Sequence, residues 1–298
     1  MKRRTVIAAL IVVPLFIFAQ YQQHFKKQLP AGNYSGICAI GNNQYAVVDD
    51  KATTDGFRVI HIEIDSIIQR ITKVEDLGYR SSGLPNRDME GICFRPSSQT
   101  IFISGEADNE VYEYYLNGQR TGQKLQIPEE TKKASHNFGI ESLTYDPVRH
   151  LFYCTTERPL NGDSVLHILV FNDNLELQCQ YNYQPDAPIS RKHYYGVSEL
   201  CALADGRLIV MERQIRIPRQ KIGASTITRL YEITPEEQPF PVKRIVTEFK
   251  TRFNITSRKF ANYEGCCQIS DHLLLLISDS QNQYKGLLRD WFRIISID

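Results

Sequence analysis

Residues 262–280 read "NYEGCCQISDHLLLLISDS". Glu264 stands just before a glycine, a short turn follows, and a run of four leucines and an isoleucine ends on a second acid, Asp279. So short an apolar run, bounded by turn residues, reads as a buried strand. The same pattern recurs as "YSGICAI" at 34–40, "MEGICFR" at 89–95, "IESLTYD" at 140–146, "SELCALA" at 198–204 and "YEGCCQI" at 263–269. Its second residues, Ser35, Glu90, Glu141, Glu199 and Glu264, are spaced 55, 51, 58 and 65 positions apart. Such a period marks propeller blades.

Each motif leads into a second apolar strand that ends on an acid, at Asp49, Glu106, Glu157, Glu212 and Asp279. Third strands follow at 57–65, 110–116, 165–171, 226–233 and 291–297, and fourth strands at 71–77, 123–127, 176–183 and 242–249. These runs alternate and are rich in β-branched and aromatic residues, as strands require. The fifth unit has no fourth strand before the chain ends, and "YQQHFKKQL" at 21–29 can supply it. Closing the ring in this way removes exposed edges. The fold expected is all-β, a single β-propeller of five blades, or six if one repeat is hidden. Residues 64–71 and 287–292 are read as short helical turns.

The chain has 298 residues with 35 basic and 34 acidic side chains, enough for one large domain with a substantial core. A net charge of +1 excludes a general nucleic-acid binder. Lys2, Arg3 and Arg4 precede the apolar run Thr5 to Ala19, which suits a cleaved export signal over 1–19 and is short for a membrane span. Residues 20–298 are then the mature domain, periplasmic or extracellular, and a membrane becomes a partner only if the segment is uncleaved. Cys38, Cys93 and Cys267 take one place in three motif copies and read as small buried hydrophobes.

The innermost strand of a propeller blade lines the central channel. The repeat therefore gathers Glu90, Glu141, Glu157, Glu199, Glu212, Glu264 and Asp279, with Asp49 and Glu106, toward one mouth. Crowded, desolvated carboxylates need compensation. A hard cation such as Ca²⁺ with oxygen ligands supplies it, as do backbone N–H groups or arginines. Alternatively, the acids bond turns of neighbouring blades and serve folding only. Arg158, Arg213, Arg216, Lys285 and Arg289 follow the second-strand acids and are candidates for an anionic substrate. His136 and His193 precede two motifs and are weaker acid–base candidates.

As an ordered set, "DMEGICF", "FGIESLTYDPVRHLFYCTTERPL", "GVSELCALADGRLIVMERQ" and "NYEGCCQISDHLLLLISDSQN" resemble the bacterial phytase-like family, esterase-like activity of phytase. The acid–glycine–isoleucine core is also similar to the SdiA-regulated propeller proteins. The phytase-like resemblance implies an exported propeller that hydrolyses an ester or phosphoester. On that reading the acids hold Ca²⁺, Glu90 or Glu141 takes a proton from water, and Arg158 and Arg213 steady a small anionic or ester substrate. The alternative is a non-catalytic binding or scaffold propeller.

Overall fold

The alternation resolves into five four-stranded antiparallel sheets. A computed structural model describes residues 21–297 apart from 135–137, 161, 220, 238, 255 and 257. The export-signal segment 1–19 and His136 lie outside the described residues. Each motif forms the inner strand of a blade: Tyr34–Gly41, Met89–Arg95, Ile140–Asp146, Tyr194–Ala202 and Asn262–Ser270. The following strands are added outward in chain order in the first four blades. The protein is a five-bladed β-propeller.

The fifth blade is closed by the N-terminal strand Gln22–Gln23, which pairs with Arg293 and Phe292. The strand is shorter than the stretch 21–29, and its side chains complete the joint. The Gln23 side-chain amide donates to the Ile71 carbonyl (2.8 Å) and accepts from the Ile71 N–H (2.9 Å), which ties it to blade 1. Phe25 packs edge-on against Phe292 with ring centroids 5.9 Å apart.

Neither expected helical turn forms. Ile64 pairs with Ile71 in the first blade's outer hairpin, and Phe292 pairs with Ile277 in the last blade. Strand pairing of apolar residues wins over local helical spacing. One helical turn lies at Glu129–Lys132, and just upstream of the second stretch Asn282–Gly286 makes a tight turn whose residues Asn282, Gln283, Tyr284 and Lys285 all have positive φ.

The blades pack face to face through buried aromatic and β-branched side chains, with Phe102 and Phe152 4.5 Å apart between blades 2 and 3. Each fully buried large apolar side chain contributes about 1.5–3 kcal/mol.

Every inner strand is bulged at the same place, between Tyr34 and Ile37, Met89 and Ile92, Ile140 and Ser142, Val197 and Glu199, and Tyr263 and Gly265. A bulge leaves one residue unpaired and re-aims its side chain. In three of the five blades a glycine follows, Gly36, Gly91 or Gly265, and lets adjacent inner strands meet. A Cβ on Gly91 would lie 2.6 Å from the Leu143 backbone nitrogen, and one on Gly36 2.4 Å from the Glu90 carbonyl oxygen. Gly91→Ala is therefore expected to lose about 1–3 kcal/mol through overpacking, read from the urea-unfolding midpoint. An unchanged midpoint would mean that the blades are not closely apposed there.

Candidate active site at the channel mouth

The bulges put Ser35, Glu90, Glu141, Ser198 and Glu264 at equivalent places around the channel. Just before each bulge the inner strand pairs with Asp49, Gly105, Thr156, Glu212 or Ser278. Because side chains alternate along a strand, the next residues form the second ring. They are Asp50, Glu106, Glu157, Arg213 and Asp279.

This register corrects the alignment in blades 1 and 4. Asp49 and Glu212 lie one position off, on the opposite face from their neighbours in the ring. Asp49 accepts from the backbone N–H groups of Asn33 (3.3 Å) and Lys51 (3.1 Å). Glu212 accepts from the Tyr183 hydroxyl (2.5 Å), the Asp186 N–H (2.9 Å) and the Lys243 ammonium (2.6 Å). In blade 4 Ser198 takes the bulge, so Glu199 occupies the place that Gly36, Gly91 and Gly265 hold elsewhere. Its carboxyl accepts from the N–H groups of Leu200 (2.9 Å) and Leu143 (3.4 Å), inside the channel.

One cation therefore stands in a ring otherwise made of acids. Arg213 is only 8% exposed. Its guanidinium contacts Glu264, lies 3.3 Å from Glu157, and reaches the Asn262 side-chain oxygen at 3.4 Å. Burial alone would lower the Arg213 pKa, but Glu157, Glu141 and Glu90 outweigh it and hold the guanidinium charged. Asn262 also donates to Glu264 (2.7 Å) and fixes the pair.

A single guanidinium does not neutralise the ring. Burial, then Glu141, pushes Glu90 well above the usual carboxylate range. Burial, then Glu157, does the same to Glu141. Asp50 is pushed up to about 7, by burial first and Asp279 second. Neither Glu90 nor Glu141 makes a hydrogen bond or ion pair with another described side chain. One oxygen each from Asp50, Asp88 and Glu90 converge within 4.8 Å of one another. The Lys51 ammonium sits on that trio, 3.0 Å from Asp50 and in contact with Asp88. Asp88 was not read from the sequence as a site residue. Its signal is its place just before the motif, on the backbone that bonds Glu106 (2.8 Å).

These shifts have a stability consequence with a definite sign. A carboxyl whose folded pKa is raised contributes stability that is fully present below the unfolded value near 4 and is lost as pH rises through the folded value. Asp50 sets the upper end of the window at about 7. Carboxylates with lowered values, such as Asp186 and Asp205, oppose the trend only at the bottom of that window, and His24, whose pKa burial lowers, is one opposing group against the several raised carboxyls. In the presence of chelator the melting temperature is expected to fall as pH rises from about 4 to about 7. A melting temperature that climbs across this range would contradict the electrostatic picture.

The other cations are placed apart from the ring's core. Arg158 stands beside Glu157 at 4.0 Å, donates to the Tyr195 carbonyl (2.8 Å) and stacks on Phe138 and Tyr195, which leaves it at the rim. Arg289 is held against His24 and Trp291. Arg216 ends its strand in solvent, and Lys285 is exposed in the tight turn at 282–286. His193 bonds Ser190 (2.9 Å) on an exposed loop. Beside Asn262 and Asp279 opens a largely apolar pocket of about 300 Å³, walled by Ile215, Phe253, Phe260, Leu287 and Leu288 and spanned by the 2.6 Å Lys221–Tyr284 contact.

No curated protein matches the chain. Among solved structures it is similar to a luciferin-regenerating enzyme, with 9% identity, TM-score 0.49 and coverage of 93% of this chain and 95% of that one. It is also similar to a chain of a nidogen/laminin complex, with 11% identity, TM-score 0.47 and coverage of 89% and 86%. A streptogramin B lyase gives 10% identity, TM-score 0.42 and coverage of 93% and 98%. The family model described as esterase-like activity of phytase matches residues 29–281, nearly all of the ring of blades. The chain belongs to this phytase-like family.

Proposed function

We propose that the protein is an exported hydrolase that binds a divalent cation, Ca²⁺ by its ligand type, and cleaves an ester or phosphoester carrying an apolar group. The observation that carries this reading is the converging trio of Asp50, Asp88 and Glu90. Its donors are all hard carboxylate oxygens, which suit Ca²⁺. The Asp50 Oδ1 atom is buried without a hydrogen-bond partner, and a cation would satisfy it. When bound, the ion supplies Lewis-acid stabilisation of the negative charge that develops on the substrate oxygen.

The chain's own residues do the rest. Glu141, buried and without an ion-pair partner among the described side chains, exchanges a proton with water or the leaving group. Arg158, partly exposed at the rim, meets the developing anion. Arg213 stays with Glu157 and Glu264 and holds those two side chains in place. The apolar pocket next to Asn262 receives the hydrophobic part of the substrate. Export rests on the basic and apolar segment at residues 2–19, and N-terminal sequencing of secreted protein checks it.

The test is calorimetric titration of Ca²⁺ into chelator-stripped protein, with Glu90→Gln, Asp88→Asn and Glu264→Gln alongside. It is paired with hydrolysis of p-nitrophenyl phosphate, acetate and octanoate. Binding that is weakened in Glu90→Gln and Asp88→Asn, with turnover favouring the longer ester, supports the proposal. No heat and no turnover, with the variants altered only in stability, would make the acids structural and the propeller a binding or scaffold module.

A further inference from the structure

Exposed charge at the mouth is not shared evenly among the blades. Four loops on that face, in blades 4 and 5, read "APISRKHYY" at 187–195, "IRIPRQKIGA" at 215–224, "RFNITSRKFAN" at 252–262 and "SQNQYKGLLR" at 280–289. Together they hold ten Lys or Arg residues and no Asp or Glu, in a chain whose net charge is +1. Nearby carboxylates are taken by other cations, Glu157 and Glu264 by Arg213, and Asp186 and Glu212 by Lys243. Asp290 is buried against Ser280 and Gln283. Among the described residues, none of the ten forms a salt bridge.

The loops make one surface. The Lys221 ammonium donates to the Tyr284 hydroxyl (2.6 Å) and the Arg258 guanidinium to the Gly286 carbonyl (3.2 Å), which joins three of them. The fourth is tied to the strand Leu208–Arg216 through Gln214, which accepts from the Ile189 N–H (2.8 Å) and donates to the Ala187 carbonyl (3.1 Å). Out of this basic surface stand Ile189, Tyr194, Ile217, Ile222 and Leu287, each 40–63% exposed. Single exposed apolar side chains are ordinary, but five on joined loops mark an interaction surface.

The mixture selects the partner. Cations and aliphatic side chains alternate here, as in Arg216–Ile217 and Lys221–Ile222. The core of a protein interface is instead depleted of charge. Single-stranded nucleic acids are held on aromatic platforms, whereas four of these five side chains are aliphatic. We infer that this face of blades 4 and 5 docks on the surface of an anionic lipid bilayer. The aliphatic side chains enter the acyl boundary and the basic ones lie among the headgroups. The apolar pocket between these loops, walled in part by Ile217 and Leu287, then opens toward the bilayer. Docking does not depend on turnover, and it belongs to the folded domain rather than to residues 1–19.

The experiment floats the chain from residue 20 to 298 with vesicles of phosphatidylcholine, alone or mixed with phosphatidylglycerol. Chelator is present, so that no cation bridges protein and lipid. Binding to the mixed vesicles should exceed binding to the neutral ones by more than about 10-fold and fall as salt rises, because each basic residue near such a surface contributes about fivefold. Lys192→Glu/Lys259→Glu should weaken it by more than about 10-fold, and Ile189→Ser/Ile222→Ser by about 10-fold. Val148→Ser, comparably exposed in a turn at the other end of the propeller, should bind as the parent does. Circular dichroism confirms that each variant is folded. Failure of the folded parent to float, or equal binding to neutral vesicles, would overturn the proposal. So would retention on RNA or an acidic peptide without vesicle binding, which would assign the surface to that polyanion.

Discussion

Arg213→Met should lower the unfolding free energy by about 3–5 kcal/mol at neutral pH, the cost of removing one partner from a buried ion pair. Methionine keeps much of the volume and the apolar stem, so packing alone explains little of the loss. The charge dominates: Arg213 is the one cation in the two rings, and Glu157 and Glu264 both rest on it. Without it, buried carboxylates face one another, and Glu141, which burial and Glu157 push up and Arg213 holds back, climbs further. The deficit should therefore shrink in mildly acidic buffer, where the acids take up protons. Urea titrations at two pH values measure this directly. A loss below about 1 kcal/mol, within the range of an ordinary substitution, would show that the acids are compensated some other way.

Glu90→Gln should weaken Ca²⁺ binding and cut turnover by more than about 10–100-fold, the usual effect of losing even an outer-shell partner of a metal, while leaving the protein as stable as the parent or more so. The amide matches the carboxyl in size and removes a charge that burial and Glu141 already disfavour. Relief of repulsion acts on stability, whereas loss of a hard ligand acts on the cation and thus on chemistry. The two readouts should move in opposite directions, the trade-off expected where a strained site serves function. Unchanged turnover with a purified, Ca²⁺-saturated variant would remove Glu90 from the reaction. A large fall in stability would make it a structural residue.

The number of blades was legible because an acid, a small residue and an apolar pair recur at a nearly constant interval. Closure by the N-terminus was legible because the last unit lacks an outer strand. The membership of the rings was not fully legible, and the reason is local. A bulge hides one residue from the period-2 count, so an alignment on letters and an alignment on hydrogen bonds disagree by one wherever the bulged residue is not the acid. In "VSELC" the serine takes the bulge, which moves Glu199 into a glycine's place and brings Arg213 rather than Glu212 to the mouth. Asp88 escaped notice because it precedes the repeat. Three cysteines, Cys38, Cys93 and Cys267, could be aligned along the inner strands, but only the blade-4 bulge at Ser198 brings Cys201 into the same place, with Cys266 lining one cavity with them.

The two-residue strand at Gln22–Gln23 has a consequence for how the chain comes to be folded. Gln22 reaches Tyr263 across 241 positions of sequence, so the ring cannot shut until nearly the last residues have been made. Four blades can assemble as they appear, but the clasp couples residues 22–23 to residues 292–293, the slowest kind of contact to find. It also bears on the proposed export: a cut beyond Gln23 would leave the last blade with an open edge and the molecule with a seam. The seam in turn sets residues 22–23 beside residues 292–293, so joining the chain there and opening it at a loop between two other blades would change the order of assembly while keeping the ring.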